Sequence, residues 1–223
     1  MSRAFLLPTP GDPYLVKNCI SLYQKIYKDE ISNLYVWIQN NGSNEVGEYC
    51  KSLVEDAGAK AIWNRAYPMQ HGDTIRALLE QCNEDYVCLI EDDGWVLEKG
   101  ILDKCFSLIE SGQFDVLGST RGAASPNLIN AITNKFNLHN LVSAEHSLSA
   151  CPNLWPCFLF AKRDTLLATD RNFNSSHWST NTYIKELDFT TTTDIVGDTF
   201  VWTSIQLRAM GCKFGYVHQY HCG

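Results

Sequence analysis

Three consecutive acidic residues, Glu91, Asp92 and Asp93, directly follow the apolar run Tyr86–Ile90. Such a run is typical of a strand buried within a parallel sheet, so the acids stand where the chain leaves the core at the carboxyl end of that strand. Ligands bind at this edge in open α/β sheets. Because side chains alternate along an extended chain, we expect Glu91 and Asp93 on one side and Asp92 on the other.

The chemistry that suits this cluster is cation binding. Two carboxylates placed together repel one another unless a cation lies between them. Oxygen ligands of this kind prefer Mn²⁺ or Mg²⁺ to zinc. The alternative is a solvated turn with incidental acids, but an all-apolar strand that ends directly in three acids favours a metal site.

The elements that position the cluster alternate between strand and helix through residues 1–120. Asp12 and Pro13 begin the first helix, as a cap followed by proline at the first helical position. The alternation predicts an open, mostly parallel α/β sheet. The predicted strands are Arg3–Thr9, Leu34–Gln39, Lys60–Asn64, Tyr86–Ile90 and Phe114–Gly118, and later helices are predicted over Val46–Ala57, Gly72–Cys82 and Ile101–Ile109.

The second half of the chain is less regular. Its polar stretch from His177 to Asp194 predicts a loop. A helix is predicted to begin at Asp198 and run to Met210. The other predicted elements are a helix over Asn127–Phe136 and strands over Leu154–Lys162 and Lys213–Val217.

Size and composition limit the class of protein. The 223 residues, 45% hydrophobic and 19% charged, predict one globular domain with a sizeable core. The net charge of −7 argues against nucleic acid or an anionic membrane surface as the main partner. No apolar stretch approaches the roughly 18 residues of a membrane span, so no transmembrane segment is predicted. Nine cysteines without a Cys-x-x-Cys pair indicate free thiols and a cytoplasmic protein.

Three features of the sequence resemble the GT-A-fold glycosyltransferases, nearest to glycosyltransferase family 2. They are the strand Arg3–Thr9, the turn Asn40-Asn41-Gly42-Ser43, and the apolar strand that runs into Glu91-Asp92-Asp93-Gly94. The resemblance implies metal-dependent transfer of a sugar from a nucleoside-diphosphate sugar, with UDP favoured, to a hydroxyl of a glycan or another acceptor. The Asp-x-Asp motif of that family holds the metal and the donor diphosphate. Here it departs to Glu-Asp-Asp, so Asp93 is a stronger candidate for the metal ligand than Glu91.

The resemblance also implies an architecture. It predicts a single-domain GT-A (Rossmann-like) α/β fold over residues 1–223, with a mostly parallel central sheet flanked by helices. Residues 1–120 are then the half that binds the nucleotide sugar, and residues 121–223 the half that binds the acceptor.

On the donor side, the resemblance implies roles for five residues. Thr9 is expected to line the base pocket, and Asn40 to contact the base where many relatives have Asp. Arg76 is expected to meet the diphosphate, and Glu91 and Asp92 to face the donor. An ordinary turn at Asn40 and a solvated helix arginine at Arg76 are the alternatives.

On the acceptor side, Asp198 after Gly197 resembles the family's general base, which takes a proton from the acceptor hydroxyl. An Asp at the start of a helix is also a common cap. His221 matches a histidine that is the third metal ligand in many GT-A enzymes, and imidazole favours Mn²⁺; a structural or exposed histidine is the alternative. Inversion is favoured over retention. Trp155 and Trp202 are candidates for stacking on a sugar, with burial in the core as the alternative.

Two other functions compete with glycosyl transfer. A sugar-nucleotide nucleotidyltransferase needs a glycine-rich, basic loop after the first strand, and Leu7–Asp12 has neither property. A non-catalytic cation-binding or carbohydrate-binding module would keep Asp93 and the aromatic residues but have no use for a base at Asp198. Hydrolysis of the donor separates an enzyme from such a module.

Overall fold

The computed structural model describes residues 2–39, 43–65, 68–92, 94, 100–120, 124–139 and 153–217. Its strands are β1 Arg3–Thr9, β2 Leu34–Ile38, β3 Lys60–Trp63, β4 Tyr86–Ile90, β5 Val116–Thr120, β6 Leu154–Lys162, β7 Ser176–Trp178, β8 Tyr183–Ile184, β9 Phe189–Thr190, β10 Ile195–Gly197 and β11 Phe214–Tyr216. Its α-helices are α1 Pro13–Ile26, α2 Asn44–Asp56, α3 His71–Gln81, α4 Ile101–Glu110, α5 Pro126–Phe136, α6 Arg163–Leu167 and α7 Val201–Ala209, and short 3-10 helices lie at Lys28–Asn33 and Lys185–Leu187.

A seven-stranded sheet in the order β11-β5-β6-β4-β1-β2-β3 forms the centre of the molecule. All neighbouring strands are parallel except β6, which runs antiparallel to both β4 and β5. Helices α1, α2 and α4 pack on one face of the sheet, and α3, α6 and α7 pack on the other. The prediction of an α/β fold with a mostly parallel sheet flanked by helices is confirmed.

Local sequence explains the elements nearest the carboxyl edge of the sheet. The five residues of β4 are all buried, as expected for a strand covered on both faces. Helix α1 begins as predicted, because the Asp12 carboxylate accepts hydrogen bonds from the backbone N–H groups of Tyr14 and Leu15 at 2.8 and 3.2 Å. Gly11, with φ of +86°, turns the chain from β1 into this helix.

Two predictions for the second half are wrong. The stretch from His177 to Asp194 is not a plain loop, because β10 pairs with β7 and β8 pairs with β9, both antiparallel. Strands of two or three residues show no periodicity, and their pairing depends on distant segments. The helix predicted from Asp198 begins instead at Val201. Phe200 adopts φ of +72°, which is not a helical conformation, so the helix cannot extend back through it.

The described cysteines and helices bear on two further predictions. Seven cysteines lie within the described residues, and all seven are free thiols, six of them buried. Free thiols are therefore confirmed for that part of the chain. Within the same ranges, no helix is both long and apolar enough to cross a membrane.

Candidate functional site

A cavity of about 330 Å³ opens at the carboxyl edge of the sheet, between the ends of β1, β2 and β4 and the first turn of α3. This volume lies within the range of small-molecule sites. Three prolines and a methionine form the apolar part of the cavity wall. The polar residues of the wall are Thr9, Gln39, His71, Thr74, Glu91 and Asp92.

The buried carboxyl group of Asp92 is held by the end of β1. The Thr9 hydroxyl donates a hydrogen bond to Asp92 Oδ2 at 2.5 Å, a length typical of a hydroxyl on an ionised carboxylate. The oxygen of the same hydroxyl accepts a hydrogen bond from the backbone N–H of Gly11 at 3.1 Å. Thr9 is 1% exposed and Asp92 6% exposed, so both groups are held in place out of bulk water.

Glu91 takes a different partner, His71 on the first turn of α3. Its Oε1 lies 3.4 Å from His71 Nε2, and a backbone turn closes behind it where Gly94 N–H donates to the Glu91 carbonyl at 3.1 Å. His71 was not singled out from the sequence as a site residue. The segment His71-Gly72-Asp73, followed by Arg76, resembles the family's glycine-containing loop and helix that approach the donor. The contact of His71 with Glu91, 20 positions away, depends instead on how α3 packs on the sheet.

Gln39 is a second wall residue that sequence reasoning missed. Its Nε2 donates to the Met69 carbonyl at 3.1 Å and to Thr74 Oγ1 at 2.6 Å, and its Oε1 accepts the Met69 N–H at 3.1 Å. These bonds tie the segment before α3 to the end of β2. Gln39 therefore shapes the cavity wall rather than offering a free amide to a ligand.

Arg76 and Asp198 lie outside the wall of this cavity. The Arg76 guanidinium pairs with the Asp73 carboxylate one turn earlier, at 3.1 Å, and is partly exposed. Asp198 is exposed on the turn between β10 and α7, where its Oδ1 accepts the N–H of Thr199 at 2.7 Å. Its side chain does not cap α7, whose N-cap residue is Phe200. The donor role of Arg76 and the base role of Asp198 stay predictions.

The two tryptophans predicted as sugar platforms are both half-buried. Trp202 Nε1 donates to Asp170 Oδ2 at 2.6 Å, and its ring packs edge-on against Trp178 with centroids 5.8 Å apart. Trp155 lies on β6, opposite Ser119 of β5.

Three of the predicted site residues, Asn40, Asp93 and His221, lie outside the described residues. Among the residues that are described, no group of three His, Cys, Asp or Glu side chains could hold a metal ion. Glu91 and Asp92 line the same cavity, contrary to the expectation that they face opposite sides, because the strand ends at Ile90 and the chain turns at Glu91. Their carboxyl groups are oxygen donors, the chemistry that suits Mn²⁺ or Mg²⁺.

No family model matches the chain, and no curated protein matches it. Solved structures do resemble it. The mannosyltransferase PcManGT from Pyrobaculum calidifontis, solved with GDP-Man and Mn²⁺, superposes with a TM-score of 0.62 at 13% identity over 97% of this chain and 54% of that one. S. aureus TarS superposes with a TM-score of 0.51 at 15% identity over 78% of this chain and 30% of that one. This chain thus spans about half the length of the first structure and less of the second.

The first likeness covers nearly the whole chain and thus includes the central sheet and its flanking helices. The chain therefore has the GT-A fold of nucleotide-sugar glycosyltransferases. The resemblance inferred from Arg3–Thr9 and the acidic cluster is confirmed at the level of the fold.

Proposed function

We propose that the protein is a metal-dependent glycosyltransferase that moves a sugar from a nucleoside-diphosphate sugar, preferably a UDP-sugar, to an acceptor hydroxyl. One observation carries the proposal: the cavity at the carboxyl edge of a GT-A sheet has Glu91 and Asp92 in its wall. That edge is where open α/β sheets bind ligands. The GT-A fold and the placement of the acids support the same function independently.

On the donor side, each residue has a distinct task. Thr9 lines the base pocket and fixes Asp92, while Asn40 contacts the base. Glu91 and Asp93, with His221, would hold Mn²⁺ or Mg²⁺, and the charge of the metal would stabilise the departing nucleoside diphosphate. Arg76 lies on α3, whose first turn borders the cavity. Its planar guanidinium group suits a diphosphate once that group leaves the Asp73 carboxylate.

On the acceptor side, Asp198 takes the proton from the attacking hydroxyl, which makes the enzyme inverting. Its exposed carboxylate leaves room for an acceptor to approach. The aromatic rings of Trp155 and Trp202 are surfaces on which a sugar of the acceptor stacks. The acceptor is a glycan or another hydroxyl compound, and cytoplasmic location stays a prediction from the cysteines.

The donor and metal assignments are tested by thermal unfolding with UDP in the presence and absence of Mn²⁺. A ligand that binds only the native state raises its stability, and we expect UDP to do so only with the metal. Asp93→Asn should abolish this shift while the protein stays folded. Asp56→Asn, an exposed acid at the end of α2, is the matched control and should keep it. Equal stabilisation in excess chelator contradicts the metal site.

The catalytic assignment is tested by Asp198→Asn. Donor affinity should be unchanged, because this carboxylate does not line the donor cavity. Turnover of the donor, by transfer or by slow hydrolysis, should fall by about 10²–10⁴, the usual contribution of general-base catalysis. Full turnover in this variant would favour a retaining enzyme. No turnover in the wild-type protein, with UDP binding intact, would favour a non-catalytic binding module.

A further inference from the structure

Helix α3 is capped by a residue from the other half of the chain. Its own N-cap residue, Gln70, makes no side-chain hydrogen bond to the helix. Instead, Asn174 Oδ1 accepts the backbone N–H of Asp73, the third helical residue, at 3.2 Å. This is the bond that an N-cap side chain normally makes. Gly72 permits the approach, since a Cβ atom there would lie 2.2 Å from the Asn174 backbone nitrogen.

The same segment holds the turn that precedes α7. The carbonyl of Phe173 accepts the N–H of Phe200 at 3.0 Å, and their rings stack with centroids 5.4 Å apart and planes 12° apart. Both side chains are fully buried. A bulky residue rarely adopts the φ of +72° seen at Phe200, and such a conformation persists only where the surroundings enforce it. Asp198 lies two residues earlier on this turn.

We propose that Asn174, with the Phe173–Phe200 stack, is a positioning bridge that fixes Asp198 relative to the donor cavity. One end of this Asn174 bridge is the first turn of α3, which carries His71 into the cavity. The other end is the turn that carries Asp198. The inference rests on the proposed role of Asp198 as the base.

The bridge matters because it holds the chain after Asp198, whereas the chain before it is held by the pairing of Gly197 in β10 with Ser176 in β7. Within the described residues the hydrogen-bond partner of the Asp198 carboxylate is the N–H of Thr199, its neighbour in the chain. General-base catalysis depends on where that carboxylate stands, and a misplacement of about 1 Å can lower the rate about 10²-fold. Asn174 binds the first turn of α3, and the adjacent Phe173 binds Phe200, so two neighbouring residues link the Asp198 turn to that helix.

Hydrogen exchange tests the bridge without any need for activity. Asn174→Ala should speed amide exchange about fivefold in both segments 71–76 and 197–203, the effect expected for losing a typical cap. Asn174→Asp keeps the acceptor oxygen and should restore slow exchange. Asn172→Ala, the same change in an exposed neighbour, and Glu110→Gln, a distant destabilising change, should leave both segments alone. An effect confined to segment 71–76, or to neither, overturns the bridge.

Kinetic measurements test whether the Asn174 bridge positions Asp198 for catalysis. Asn174→Ala should lower kcat for donor hydrolysis about tenfold or more. In an Asp198→Asn background the same change should lower kcat no further, because residues that act through one group are not additive. An equal fall in both backgrounds would mean a general structural effect and overturn the positioning role. Wild-type protein without donor turnover refutes the proposed function instead, and the exchange results still decide the bridge. Asn174→Ser replaces Asn174→Ala in both experiments if the latter does not fold.

Discussion

The hydroxyl of Thr9 has two partners at the cavity, so replacing Thr9 by Val tests how this wall is built. Valine keeps the shape of the side chain but can neither donate to Asp92 nor accept the N–H of Gly11, bonds of 2.5 and 3.1 Å. All three residues are buried, so little solvent reaches either bond except from the cavity that Thr9 and Asp92 line. The substitution therefore removes polar contacts without opening a cavity.

The magnitude follows from these two bonds. A hydrogen bond to a charged group contributes about 1.5–3 kcal/mol net, and a buried donor left without a partner costs about 1–3 kcal/mol. Because the two effects overlap in one site, we expect Thr9→Val to lower the free energy of unfolding by about 2–4 kcal/mol. Thr9→Ser keeps the hydroxyl and loses a methyl group, which costs about 1 kcal/mol.

Urea unfolding measures both variants, since the free energy of unfolding extrapolates linearly to water. The thermal shift with UDP and Mn²⁺ should also be smaller in Thr9→Val, because Asp92 loses a hydrogen bond that orients it. Thr9→Ser should retain most of the shift. If Thr9→Val unfolds like the wild type, or if Thr9→Ser is the more damaging change, then the hydroxyl does not hold this wall.

Two further outcomes follow from contacts elsewhere. The guanidinium of Arg3, bonded to Glu110 at 2.7 and 2.8 Å, holds the pKa of Glu110 below its ordinary value of 4.5. Because the folded-state pKa is the lower one, this contribution is complete above about pH 4.5 and is lost as the pH falls toward the folded-state value. Glu110→Gln should thus lower the free energy of unfolding by about 1 kcal/mol at neutral pH. It should also weaken the fall in stability between neutral and acidic pH, and parallel curves of stability against pH for variant and wild type would contradict this. Gly72→Ala should lower stability by about 1–3 kcal/mol, because its Cβ meets the backbone of Asn174 at 2.2 Å, and an unchanged melting temperature would refute that packing.

The first half of the fold could be predicted because its signals are local. The apolar run of β4 and the strand β1 have the predicted bounds. The start of α1 was predicted from Asp12 and Pro13, whose cap depends on residues within one helical turn. The acids at the end of β4 indicated the edge of the sheet where the cavity lies.

The remaining features depend on contacts between distant parts of the chain. The start of α7 is set by Phe200, whose backbone conformation is held by its stack on Phe173. The sequence gives no sign of that stack. His71 meets Glu91 only after α3 packs on the sheet. Asn174 likewise shows no local sign that it caps a helix 101 positions away.

The position of β6 in the sheet matters while the chain is being synthesised. This strand lies between β4 and β5 in the sheet, yet it follows both in the chain. A nascent chain that ends after β5 therefore has unpaired backbone groups on both β4 and β5, which are sites for aggregation. Phe173, Phe200 and Leu207 cover the second face of the sheet and are made later still. The pairing of β4 and of β5 is complete only after β6 has been synthesised and lies between them.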